Sequence, residues 1–234
     1  MESTSTTAFG GADAITTGAG SDLVIGGRYG DVIGVGAGNN LVIGDSGRVT
    51  AASTDGPQLA GIPMTFGLIE TVQYGDGGVD QITALGGSDI VLGGHEGDDV
   101  AAGDGNNIVL GDDGRVDYTR ADREPAAVGA DTDPGDLDLI ESLSTTLFGG
   151  ADTITTGIGR DIILGGIGGD TIHAFASGVD LEDEAALATA GAADGNNIII
   201  GDSGYIDWTA DDSDAEATCM SLPESYTPFT RVSS

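Results

Sequence analysis

GDGGVDQITALGGSDIVLGGHEGDDVAAGDGNNIVLGDDGRV, residues 75–116, carries the unit from which the chain is built. Asp80, Asp89, Asp98 and Asn107 stand nine residues apart, and two residues after each comes an aliphatic side chain: Ile82, Val91, Val100 and Val109. Glycines crowd the positions before each of them. The unit reads as a glycine turn, an aspartate, and a very short strand with one inward side chain. Self-similarity at a fixed period outranks any local reading of helix or strand.

The unit extends in both directions. Asp13, Asp22, Asp31 and Asn40 precede Ile15, Val24, Ile33 and Val42; Asp152, Asp161 and Asp170 precede Ile154, Ile163 and Ile172, with Asn197 and Ile199 after an interruption. All three sets close alike, in GNNLVIGDSGRV, GNNIVLGDDGRV and GNNIIIGDSGYI. The organisation is therefore a block at 1–52, a connector at 53–74, a block at 75–119, a connector at 120–146, a block at 147–209 with an insertion at 174–191, and a tail at 210–234. Sixteen of the 21 residues from Glu2 to Asp22 match Glu141 to Asp161, so the chain reads as a stretch of a larger array.

The connectors hold Pro57, Pro63, Pro125 and Pro134 and return through LIETV (68–72) and LIESL (139–143), which read as strands. Five half-turns leave each block half a coil short, and the returning strand is expected to complete it. Inside the insertion, DLEDEAALATAG (180–191) predicts a short helix near 181–190: Asp180 caps it, Glu182 and Asp183 favour its positive end, and Gly191 stops it. The fold expected is all-β: a parallel β-roll, or β-solenoid, of stacked nonapeptide half-turns with surface connectors and that one helical insertion.

These units resemble the RTX, or hemolysin-type, calcium-binding repeat of consensus GGxGxDxUx. The resemblance covers the three blocks, and GGIGGDTIH (165–173) and GDGGVDQIT (75–83) carry it most fully. It implies export by a one-step (type I) secretion system and folding at the cell surface or outside the cell, where calcium is plentiful.

Calcium takes six to eight hard oxygens at about 2.3–2.6 Å, and glycine turns leave carbonyl oxygens open to approach. If two units make one coil, turns 18 residues apart stack at about 4.8 Å. That pairs Asp13 with Asp31, Asp22 with Asn40, Asp80 with Asp98, Asp89 with Asn107, and Asp152 with Asp170, while Asp161 reaches Asn197 only if the insertion loops out. Six Ca2+ ions between such pairs would bring the formal charge from −32 to −20. The bland alternative is that aspartate merely favours glycine turns through local hydrogen bonds. Asn40, Asn107 and Asn197 offer neutral oxygens where the repeat has carboxylates, so their sites are expected to be weaker, with Asp45, Asp112 and Asp202 as replacement ligands. Tyr29, Glu96 and Ala12 stand at consensus glycines, and distorted turns are expected there.

Composition narrows the function classes. Thirty-nine acidic residues face seven arginines and no lysine, a balance that repels nucleic acid and anionic membrane surfaces and favours cations as partners. Cys219, the single cysteine, allows neither an internal disulfide nor a thiolate zinc site. The sequence has no apolar stretch of about 18 residues for membrane insertion. The N-terminus lacks the basic and apolar regions of a cleavable signal. His95 and His173 sit in separate blocks without HExxH or GxSxG, and without lysine there is no GK[ST] phosphate loop. Phe9, Phe148, Tyr205 and Trp208 read as caps over the ends of small cores.

The functional expectation is a calcium-binding structural module of a secreted or cell-surface bacterial protein, not an enzyme, whose folding is coupled to metal. A self-associating adhesin, S-layer or filament segment, with the roll as an interaction surface or cell-surface partner site, is the alternative.

Overall fold

Very short strands recur wherever the nonapeptide unit places its aliphatic residue, because a glycine turn on either side leaves room for little more. The computed structural model describes residues 1–4, 9–120, 134–145, 147–175, 194–208 and 232–233. The predicted helix near 181–190 and most of the tail lie outside these described residues.

The protein is all-β. One parallel sheet holds β1 (Ala14–Thr16), β3 (Val32–Gly34), β7 (Gln81–Thr83), β9 (Asp99–Gly103), β13 (Thr153–Thr156) and β15 (Thr171–Ala174), in that spatial order. A second parallel sheet holds, in order, β2 (Leu23–Ile25), β4 (Leu41–Ile43), β8 (Ile90–Gly94), β10 (Ile108–Asp112), β14 (Ile162–Leu164) and β16 (Ile198–Ile200). Within a block the chain alternates between the two sheets, so each strand pairs with the one 18 residues on, as in Ile15 with Ile33 and Val24 with Val42.

The blocks share both sheets. Ile33 aligns with Ile82, Leu41 with Ile90, Val100 with Ile154 and Ile108 with Ile162. Ile162 also aligns with Ile198 directly.

The fifth unit of each block departs from the expectation. β5 (Gly47–Ala51), β11 (Gly114–Asp117) and β17 (Tyr205–Asp207) enter a third, antiparallel sheet with β6 (Phe66–Thr71), β12 (Leu139–Ser142) and β18 (Val232–Ser233), in the order β5-β6-β11-β12-β17-β18. The returning strands LIET and LIES pair here and complete no parallel coil. A row of Val49, Ile69, Val116, Ile140 and Ile206 runs across one face. On the neighbouring row Arg48, Glu70, Arg115 and Glu141 alternate in charge, with Glu2 bridged to Arg48 at one end and Tyr205 at the other.

Burial explains the layering. In the second sheet the triplets LVI, LVI, IVL, IVL, IIL and III are apolar throughout, because this sheet is covered on both faces. Val42, Val91, Val109 and Ile163 pack with Ile33, Ile82, Val100 and Ile154 of the first sheet. Leu41, Ile43, Ile90, Leu92, Ile108 and Leu110 pack with Phe66, Ile69, Val116 and Ile140 of the third. The first sheet alternates, as in QIT and TIT, since its outer face meets solvent. Phe9 caps nothing: it is 92% exposed. Phe148 instead meets the His95 ring edge-on at 5.8 Å.

Candidate metal-binding edges

Each passage from the second sheet to the first runs along one edge of the molecule, and each passage back runs along the other. Asp13, Asp31, Asp80, Asp98, Asp152 and Asp170 lie on the first edge; Asp22, Asn40, Asp89, Asn107, Asp161 and Asn197 lie on the second. The structure thus stacks all twelve predicted residues, six to an edge.

On the first edge every step is the same hydrogen bond. The N–H of Asp13 donates to Asp31 Oδ1 at 2.6 Å, that of Asp31 to Asp80 at 2.6 Å, Asp80 to Asp98 at 2.8 Å, Asp98 to Asp152 at 2.7 Å and Asp152 to Asp170 at 3.0 Å. The separations along the chain are 18, 49, 18, 54 and 18 residues, yet the geometry does not change. All five 18-residue pairs are present, and so is the pair Asp161 with Asn197. The turns holding Tyr29 and Glu96 are not distorted out of the series: both residues adopt the left-handed backbone of the glycines they replace, with φ of 75° and 70°.

The second carboxylate oxygen behaves differently. Oδ2 of Asp31, Asp80, Asp98, Asp152 and Asp170 is buried and without a hydrogen-bond partner. A main-chain carbonyl accompanies each. Asp31 Oδ2 and Gly44 O both lie within 2.4 Å of the point where a Cβ on Gly26 would sit. Asp80 Oδ2 with Gly93 O faces Gly44, Asp98 Oδ2 with Gly111 O faces Gly93, Asp152 Oδ2 with Gly165 O faces Gly111, and Asp170 Oδ2 with Gly201 O faces Gly165. These glycines are required because a methyl group would collide with both oxygens.

Gly44 O already accepts from the N–H of Gly27 at 3.0 Å, but the carboxylate oxygen beside it has no donor, and a buried oxygen of that kind is costly unless a proton or a cation joins it. Burial accordingly pushes Asp80 and Asp152 up to about 7 and Asp98 well above the usual carboxylate range. Neighbouring aspartates push the same way: Asp31 on Asp80, and Asp80 and Asp152 on Asp98. The arginines at 28, 48 and 115 spend their charge elsewhere, on Asp76, Glu70 and Glu141.

Comparison with family models, curated proteins and solved structures returns no match. The site therefore has to be read from its own chemistry. Among the described residues no three acidic, histidine or cysteine side chains gather as a metal-ligating group. The oxygens that accompany each Oδ2 are main-chain carbonyls, a donor set suited to hard cations.

On the second edge the ladder continues with N–H to Oδ1 distances of 3.1, 2.7, 3.1, 3.0 and 2.8 Å from Asp22 to Asn197. Here aspartate and asparagine alternate. Asp22 and Asp89 keep an unpartnered Oδ2, whereas Asp161 Oδ2 accepts from Thr156 Oγ1 at 2.7 Å.

The replacement-ligand expectation for Asp45 and Asp112 needs correcting. Both lie at the first edge, opposite the asparagines, where they join blocks. Asp45 accepts from the N–H of Gly78 at 3.1 Å and from that of His95; Asp112 accepts from Gly150 at 2.9 Å and from Ile167. Burial raises Asp45 to about 9 and Asp112 to about 6. Asp202 is exposed. The spacing of the GD-x-G closing units marked these residues, but not the edge on which the chain would leave the parallel sheets.

Proposed function

We propose that this chain is a calcium-binding structural module, a parallel β-roll whose nonapeptide half-turns resemble RTX repeats and take Ca2+ between stacked turns. The observation that carries this reading is the fivefold pairing of a buried, unpartnered aspartate Oδ2 with a glycine carbonyl along the first edge. Asp31, Asp80, Asp98, Asp152 and Asp170 supply the charge, and Gly44, Gly93, Gly111, Gly165 and Gly201 supply neutral oxygens. Calcium suits such an irregular oxygen set better than magnesium, which demands near-ideal octahedral geometry and gives up its water reluctantly.

Without a cation, the ionised first edge opposes the burial that the two apolar layers favour. Metal uptake and completion of the fold are then one event, as expected of a site assembled only by folding. Such a module works where calcium is abundant, on a secreted or cell-surface protein, and it performs no catalysis itself.

Circular dichroism and calorimetry in chelator, then in millimolar calcium with a magnesium control, test the proposal. Uptake of several calcium ions with a gain of β signal supports it. A spectrum and melting temperature indifferent to calcium would sink it.

A second reading, self-association through the ends of the roll, is favoured by one observation. Among the described residues β1 and β2 are each paired on one side only, and an open strand edge is a template for another chain. A scattering mass that stays monomeric throughout a calcium titration counts against it.

A further inference from the structure

Asn40 and Asn107 do more than weaken a metal site. Asn40 is fully buried and Asn107 is 1% exposed, and in each the side-chain Oδ1 accepts a ladder hydrogen bond, from Asp22 N–H and Asp89 N–H respectively, both at 3.1 Å. That acceptor role fixes the amide orientation, so the other branch of the side chain is the donor Nδ2.

Nδ2 of Asn40 lies 3.3 Å from Gly36 O, 2.9 Å from Gly38 O and 2.9 Å from Asp89 Oδ1. Nδ2 of Asn107 repeats the arrangement with Gly103 O at 3.1 Å, Gly105 O at 3.2 Å and Asp161 Oδ1 at 3.0 Å. In each case a nitrogen carrying two protons sits among two turn carbonyls and the carboxylate of the next coil. At the corresponding branch of Asp31, Asp80 and Asp98 stands an oxygen, an acceptor of the same size. One atom reverses the sign of what the turn needs.

We infer that the Asn40 and Asn107 amides are built-in substitutes for a cation, so that the second edge is closed at these two turns without metal and calcium loading is asymmetric between the edges. This rests on the calcium reading of the first edge and adds which turns refuse the ion. It also gives the metal-free chain two fixed points from which the coils can stack.

The test compares calcium stoichiometry by calorimetry and β content in chelator for three proteins: the wild type, the Asn40→Asp/Asn107→Asp double variant and the single variant Asp98→Asn. The double variant is expected to take up about two more calcium ions and to lose β signal in chelator, because each substitution sets an acceptor against three acceptors. Asp98→Asn is expected to bind one ion fewer and to melt higher than wild type in chelator. Unchanged stoichiometry and unchanged chelator spectra for the double variant would overturn the inference. So would an Asp98→Asn protein that melts no higher than wild type without metal, an arm that decides the matter even if the double variant fails to fold. The calcium reading fails separately, and the claim about loading with it, if the wild-type chain takes up no calcium.

Discussion

The two edges are built from the same turn, yet they solve the same electrostatic problem differently. On the first edge six aspartates follow one another, and five carboxylate oxygens are buried against carbonyls with no proton donor supplied. On the second, asparagine alternates with aspartate, and the amides of Asn40 and Asn107 satisfy the turn carbonyls from within. Stacking the same turn does not by itself fix what the turn lacks. What matters is whether the side chain at the end of the turn brings a donor or another acceptor.

The largest expected effect is on pH dependence without metal. Asp80 and Asp152 rise from an ordinary value of 3.8 to about 7, so the folded state holds their protons more tightly than the unfolded chain does. Their stabilisation is complete below about 4 and is lost as pH climbs through about 7. At about 1.4 kcal/mol per pKa unit, the loss is comparable to the roughly 5–15 kcal/mol that holds a typical domain. Melting temperatures in chelator should therefore fall steeply between pH 4 and 8, and saturating calcium should flatten the profile. Asp89 on the second edge is also pushed up by burial, to about 6, so a flat profile in chelator would remove the burial cost from both edges.

Next in size is a clash. A Cβ on Gly93 would lie 2.1 Å from Gly111 O and 2.3 Å from Asp98 Oδ2, whereas one on Gly18, at the open end of the second edge, meets nothing within 4 Å. Gly93→Ala is expected to cost about 3 kcal/mol in urea unfolding with calcium present, and Gly18→Ala to stay within about 0.5 kcal/mol of wild type.

The next two substitutions trade places between conditions. Asn107→Ala removes the acceptor for Asp89 N–H and the donor to three oxygens, for about 2 kcal/mol, the cost of orphaned buried groups. Asp98→Ala orphans the N–H of Asp80 but also relieves carboxylate repulsion. In chelator Asn107→Ala should be the more damaging, and in calcium Asp98→Ala; chemical denaturation in both conditions reads the order. The smallest effect belongs to the control away from both edges. Arg115 and Glu141 are about a third exposed, and Arg115→Ala should cost under about 1 kcal/mol in either condition.

Much of this was legible in the nine-residue period, which places the strands of both parallel sheets and pairs Asp13 with Asp31 as observed. The third sheet was harder to see, because the fifth unit of each block keeps the glycine and the aliphatic residue while the chain has already changed direction. A signal for it did exist. LVI, IVL and III are apolar at every position while QIT and TIT alternate, and that contrast separates a sheet covered twice from one covered once. The role of the asparagines was open only in part: the sequence shows a missing charge, but the amide donor's three partners come from two neighbouring turns.

The ladder steps join residues 18, 49 or 54 positions apart through the same contact, and on the second edge 36 as well. Contour length is therefore uncoupled from height. The segment between Ala51 and Phe66 is itself tied to the sheets: Leu59 is buried in the core, and Ala60 O accepts from Ser21 Oγ and Asn39 Nδ2, both at 2.9 Å. The unequal lengths of chain leave the spacing of about 4.8 Å between neighbouring strands unchanged. Excursions of very different length thus end on one evenly spaced ladder.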